Sequence, residues 1–158
     1  MNAGNELALN DFLVKSTQRI LERCDHLATF SSMEDGILRQ YLTHEHATAN
    51  RQVSDWMFCA GMSTHQDSVG NVWGRLGPAD RPALVVGSHL DSVPDAGKYD
   101  GILGVLLGIA LAEYLKHFEV QIRLPLEVVG FGDEEGTRFA RTLMTSKAIA
   151  GSWDTEWF

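Results

Sequence analysis

The sequence predicts an α/β fold: a mixed sheet built around a parallel β-α-β core and flanked by helices. Three observations predict it. Residues 84–86, Leu-Val-Val, form a short continuous apolar run, as expected of a strand buried on both faces. Residues 102–118 have helical length and close on Lys116, His117 and Phe118, a cationic end that suits a helix C-terminus. Residues 124–131 are a second apolar run. Two strands joined by one crossover helix in a single sheet form a right-handed parallel unit. The unit is therefore predicted as strands over 83–88 and 123–131 with the helix of 102–117 packed across them.

The flanking elements follow from local pattern. Residues 1–9 read as a loose tail. A helix begins at Asn10 or Asp11 and ends near His26 or Leu27, with Phe12, Leu13, Ile20 and Leu21 at helical spacing and Lys15, Arg19 and Glu22 outside. Residues 29–36 are polar and turn-like, and Ile37, Leu38, Tyr41 and Leu42 fit either a short strand or a turn. A second helix runs over about 45–60 and is stopped by Gly61, with Val53, Trp56, Met57 and Ala60 inward. His44 and His46 resemble a metal pair, but residues two apart on a helix do not share a face, so both are expected as surface or capping residues. Residues 64–66 and 72–76 flank Val69-Gly70-Asn71 as a hairpin, with Asp67 structural in the turn. Residues 77–82 form a loop into the central strand. Gly104 and Gly108 lie on one helical face and allow close backbone packing. Residues 138–150 read as a loop and then a short helix, and the end carries three exposed-looking aromatics, Trp153, Trp157 and Phe158.

Composition narrows the class. The chain has 158 residues, 44% hydrophobic, enough for one domain with its own core. The net charge is −8 with no basic cluster, which argues against nucleic acid and anionic membranes as partners. Cys24 and Cys59 sit in helical patterns and read as reduced, buried thiols of a cytoplasmic protein. The N-terminus lacks a secretory pattern, and the most apolar segment is too short to span a bilayer.

The chemistry concentrates at one edge. In a parallel unit both strands end at the same side of the sheet, and the helix begins there. His89 and Asp91 after the first strand, Asp100 at the helix start, and Glu134 and Glu135 after the second strand should converge at the edge where open α/β sheets place ligands. Four carboxylates packed together repel each other unless a positive charge sits among them. Imidazole and carboxylate suit zinc, manganese or a similar divalent ion. His89 and Asp91 point the same way in an extended chain, so the acid can hold the ring. Glu134 and Glu135 are adjacent and should diverge, one ligating while the other addresses a water as general base. Taken singly, Asp100 fits a helix N-cap and the Glu pair a solvated loop; the conjunction favours a site.

Three motifs carry a resemblance. Gly87-Ser88-His89-Leu90-Asp91-Ser92-Val93, Gly97-Lys98-Tyr99-Asp100-Gly101 and Glu134-Glu135-Gly136-Thr137-Arg138-Phe139 resemble the binuclear-metal amidohydrolases that cleave ureido compounds. These are the allantoate amidohydrolases, N-carbamoyl-L-amino-acid hydrolases and β-ureidopropionases, related to the di-zinc aminopeptidases and carboxypeptidases. Residues 67–75 look like the family's upstream hairpin and 146–151 its downstream segment. The resemblance implies a di-zinc aminopeptidase-like catalytic domain and two divalent ions, zinc or manganese. It implies that His89 binds one metal, Asp100 bridges both and Glu135 binds the other, while Asp91 orients His89 and Glu134 is the general base. The implied reaction is hydrolysis of a ureido C–N bond in allantoate or an N-carbamoyl-L-amino acid, a small-molecule substrate, by a homodimer. An aminopeptidase or carboxypeptidase is the nearer alternative, and a non-catalytic metal-binding module the more distant one.

The sequence departs from the family in length. Family members are longer and supply two more metal-binding His residues downstream and a dimerisation and lid domain. His26, His44, His46, His65 and His117 lie in the wrong segments to replace those ligands. Residues 1–158 thus read as the N-terminal portion of an incomplete catalytic domain. With two protein ligands per metal, the polypeptide by itself is expected to bind metal weakly or not at all and to be inactive.

Overall fold

The computed structural model describes residues 3–157. Elements follow in the order α1 (Ala3–Ala28), α2 (His44–Cys59), β1 (Ser63–Gln66), β2 (Val72–Leu76), β3 (Leu84–His89), α3 (Ile102–His117), β4 (Leu126–Phe131) and α4 (Met144–Ile149), with a 3-10 turn over Thr155–Trp157. The four strands form one mixed sheet in the order β1-β2-β4-β3. β1 and β2 are the expected antiparallel hairpin, β2 runs antiparallel to β4, and β3 and β4 are parallel from Leu84↔Leu126 to His89↔Phe131. The crossover through α3 is therefore the predicted one, and His89 ends level with Phe131.

α3 packs on the sheet through Ile102, Val105, Leu106 and Ile109, which share one core with Val86, Leu126 and Val128 and with Ala49, Val53 and Met57 of α2. Burial of each such aliphatic side chain contributes about 1.5–3 kcal/mol. The close fit depends on Gly104 and Gly108. A Cβ on either would meet Ser88 Cβ at 2.6 Å or Val128 Cγ1 at 2.8 Å, as the shared helical face predicts.

Several expectations need correction. The tail is helical from Ala3, because α1 continues without a break to Ala28. Its inward stripe is Phe12, Ser16, Ile20, Cys24 and Leu27, whereas Leu13 and Leu21 are exposed. β3 is not buried on both faces. It is an edge strand, and Leu84 and Val85 are 56% and 50% exposed; an apolar run reports a strand but not what covers it. His46 is buried, not on the surface, with its ring edge-on to Tyr41. Burial pushes its pKa down to about 4, against an opposing pull from Asp91 and with a lesser push from Arg39. Cys24 is buried as expected, but Cys59 at the end of α2 is exposed. Of the two alternatives for Ile37 to Leu42, no strand forms: residues 37–40 are irregular and Tyr41 and Leu42 make a turn. Trp153 and Trp157 are half-buried with ring centroids 5.4 Å apart, and Phe158 lies outside the described residues.

Candidate metal centre

The two strand exits are built differently. After β3 the ladder continues for one more bond, from Leu90 N–H to Phe131 O at 2.8 Å. The chain is then laced to Arg39: Ser92 N–H donates to Arg39 O, Arg39 N–H to Ser92 Oγ, and Arg39 Nε to Leu90 O. Arg39 is itself buried, and its other donors reach Leu27 O and Phe30 O. Burial lowers its pKa to about 10, against an opposing pull from Asp91. These bonds fix the short stretch that carries His89 and Asp91.

Asp91 is fully buried and does more than orient a ring. Its Oδ1 accepts Glu134 N–H at 3.0 Å and its Oδ2 accepts Glu135 N–H at 3.1 Å. His89 Nδ1 lies 3.4 Å from Asp91 Oδ1 and 3.1 Å from Asp91 O. One carboxylate thus ties both strand exits together. The His89 ring also lies against the start of α3, where Gly101 has φ 67° and a Cβ would stand 2.5 Å from the ring. Only a residue without a side chain accommodates both that conformation and that contact. Gly101 is also the N-cap, and no side chain caps this helix, so Asp100 is not the cap.

His89, Glu134 and Glu135 converge: one donor atom from each lies within 4.8 Å of the other two. Asp100, whose side chain is about half exposed, comes to 3.6 Å from His89 Nε2 through Oδ1. All five expected residues therefore meet at the predicted edge: His89, Asp100, Glu134 and Glu135 line an open cleft of about 590 Å³ with Ser88, Phe131, Leu143 and Ser146, and Asp91 is buried behind His89. The expected divergence of Glu134 and Glu135 is wrong. The segment after Phe131 leaves the extended conformation, so adjacent side chains no longer alternate, and both reach toward His89.

The site is electrostatically uneven. Burial works against a charged His89 ring. The hydrogen bond and charge of Asp91, its carbonyl and the charge of Glu134 outweigh that effect and push the pKa up to about 9. Burial raises the pKa of Glu135; His89 opposes the shift, and Asp100, Glu134 and Asp91 add to it. Asp133, which sequence reasoning missed, is 1% exposed, and its carboxyl oxygens make no well-formed hydrogen bond, the Gly136 amide acting on them only from longer range. Burial and Asp91 push its pKa up to about 6, against the Gly136 amide and with a lesser push from Glu134. No sequence signal separates Asp133 from its neighbours in the acidic run.

An imidazole and two carboxylates within reach of one another, beside an orphaned buried carboxyl, are a donor set that fits a divalent cation. The sequence profile of Peptidase family M28 matches residues 71–157, more than half the chain. The chain belongs to this family. M28 membership implies dependence on divalent metal, in agreement with the donor set. Among individual proteins, the chain is 39% identical over 133 residues to an allantoate deiminase of Arabidopsis thaliana, covering 82% of this chain and 25% of that protein. It is 35% identical to an N-carbamoyl-L-amino-acid amidohydrolase of Pseudomonas sp. (strain NS671), covering 86% and 34%. A solved hydantoinase/carbamoylase family amidase from Burkholderia ambifaria superposes with a TM-score of 0.81 at 30% identity, covering 88% of this chain and 35% of that one. The chain thus spans a quarter to about a third of the length of these relatives.

Proposed function

We propose that the site serves metal-dependent hydrolysis of a C–N bond in a ureido or carbamoyl group, with allantoate or an N-carbamoyl-L-amino acid as substrate. The observation that carries this reading is the convergence of His89, Glu134 and Glu135 above Asp91. The two relatives whose names specify such substrates support it. The same reading takes the whole protein as a cytoplasmic homodimer that holds two divalent ions, zinc or manganese.

When bound, divalent ions polarise the scissile carbonyl and lower the pKa of water. His89, Glu135 and Asp100 would hold them. Glu134 takes the proton from the attacking water and passes it to the leaving nitrogen. Asp91 keeps His89 in one tautomer and orientation. Through the Glu134 and Glu135 amides it also keeps both acids at a fixed distance from the ring.

Peptide-bond hydrolysis is the competing reading, favoured by the M28 family's description. A substrate panel separates the two. The product of the whole reading frame, loaded with zinc or manganese, is expected to release ammonia from allantoate or to decarbamoylate an N-carbamoyl-L-amino acid. Turnover confined to aminoacyl amides and peptides would overturn the proposal.

A further inference from the structure

The segment that presents Glu134 and Glu135 is held in an unusual way. Four consecutive backbone N–H groups, from Gly132 to Glu135, are each accepted by a side-chain oxygen. Asp91 takes the last two. Gly132 N–H is shared by Asn71 Oδ1 and Thr145 Oγ1, both at 3.1 Å, and Asp133 N–H reaches Thr145 Oγ1 at 3.4 Å. Asn71 and Thr145 are fully buried. They come from different elements, Asn71 from the hairpin before β2 and Thr145 from α4, and Asn71 Nδ2 also reaches Thr145 O at 3.5 Å.

Asn71 has only one way to make this contact. Its Nδ2 donates to Asp67 Oδ2 at 2.9 Å, which turns Oδ1 toward Gly132. Asp67 in turn is fixed by Val69 N–H, Asn71 N–H and Trp73 Nε1. The register explains why a side chain is needed. Val72 is the last β2 residue paired with β4, opposite Gly130, so beyond it the ladder has ended and the Asn71 amide takes its place. Gly132 has no room to move: a Cβ there would meet the Tyr41 ring at 2.9 Å and Thr145 Cγ2 at 3.3 Å.

We infer that Asn71 and Thr145 are positioning residues. Both accept the Gly132 N–H and so set the angle at which Glu134 and Glu135 face His89, with Asp67 locking the Asn71 amide. The inference rests on the reading of Glu134 and Glu135 as the working acids. Asp91 fixes the far end of the segment, and Asn71 and Thr145 fix the near end. A segment gripped at one end only would swing, and misplacement by about 1 Å can cost on the order of 10²-fold in rate.

The test needs no turnover. Amide hydrogen exchange of the isotopically labelled chain reads each N–H directly. In Asn71→Ala, protection of Gly132, Asp133, Glu134 and Glu135 should fall about tenfold or more, while the α3 amides keep theirs. Thr145→Val, which removes only the hydroxyl, carries the same reading should Asn71→Ala not fold. Unchanged protection over 132–135, or equal loss throughout the sheet and α3, would overturn the inference. In the whole-frame protein, Asn71→Ala should lower kcat with KM little changed; an unaltered kcat would also overturn it. An unmodified protein that hydrolyses no ureido substrate would instead refute the functional reading and leave the exchange result standing.

Discussion

The two ends of the sheet treat buried acids in opposite ways. At the end where β3 and β4 begin, Glu127 lies half-buried on β4 and meets Arg75 Nη1 at 2.6 Å, while the rest of that guanidinium bonds Pro78 O and Arg81 O. Glu113 on α3 is likewise held by both Arg19 and Arg23. At the other end, Asp91, Asp100, Glu134 and Glu135 gather around one imidazole, with Asp133 buried in the same segment. Among the described residues, no Lys or Arg is paired with any of them. The buried Arg39 nearby spends its hydrogen bonds on carbonyl groups. This protein supplies an arginine where a carboxylate is merely to be buried. At the site end it supplies none, and under the proposed function a divalent ion would supply the positive charge there.

The comparison is broken most severely at the site end. In the whole-frame protein, Glu134→Gln should keep its metal but lose about 10²–10⁴-fold in kcat, because an amide cannot accept the proton from water. Steady-state hydrolysis beside metal analysis checks this, and an active variant would remove Glu134 from its role. Asp100→Ala should lose metal as well as activity, with affinity down at least about tenfold; elemental analysis after dialysis reads it. At the opposite end, Arg75→Met strands Glu127 and should cost about 1–3 kcal/mol of stability, seen as a lower Tm. Its metal content should be unchanged, which is the contrast the two ends predict.

The smallest effect concerns pH. His46 titrates at about 4 when folded and at about 6.5 when unfolded. Between those values the unfolded chain binds more protons, so stability is fully present above about pH 6.5 and falls as pH drops toward 4. Denaturant titrations of the chain and of His46→Phe across that window should show a shallower pH slope in the variant. An identical slope would mean that the ring is not held neutral.

The central unit was legible because apolar runs, helix length and the crossover rule are local or universal. The same logic brought His89, Asp91, Asp100, Glu134 and Glu135 to one edge, since residues just past parallel strand ends must share it. What was not legible depends on contacts distant in sequence. Asn71 reads as an ordinary turn residue until Gly132, 61 positions away, is seen to need its oxygen. Arg39 lies in a polar turn, and nothing local announces that its guanidinium bonds Leu90 O, 51 positions away. His46 was expected on the surface because helical spacing argues against a metal pair but says nothing about burial. The Glu pair was expected to diverge because alternation holds only while the chain stays extended.

The claim that the site end lacks one positive charge is tested most directly by titrating zinc or manganese into residues 1–158 by calorimetry. With His89, Glu135 and Asp100 as the holding residues, the account predicts weak binding of a divalent ion, lost in His89→Ala and in Glu135→Gln but not in Arg75→Met. Two tightly bound ions, no binding at any concentration, or binding that survives both site substitutions would contradict the account.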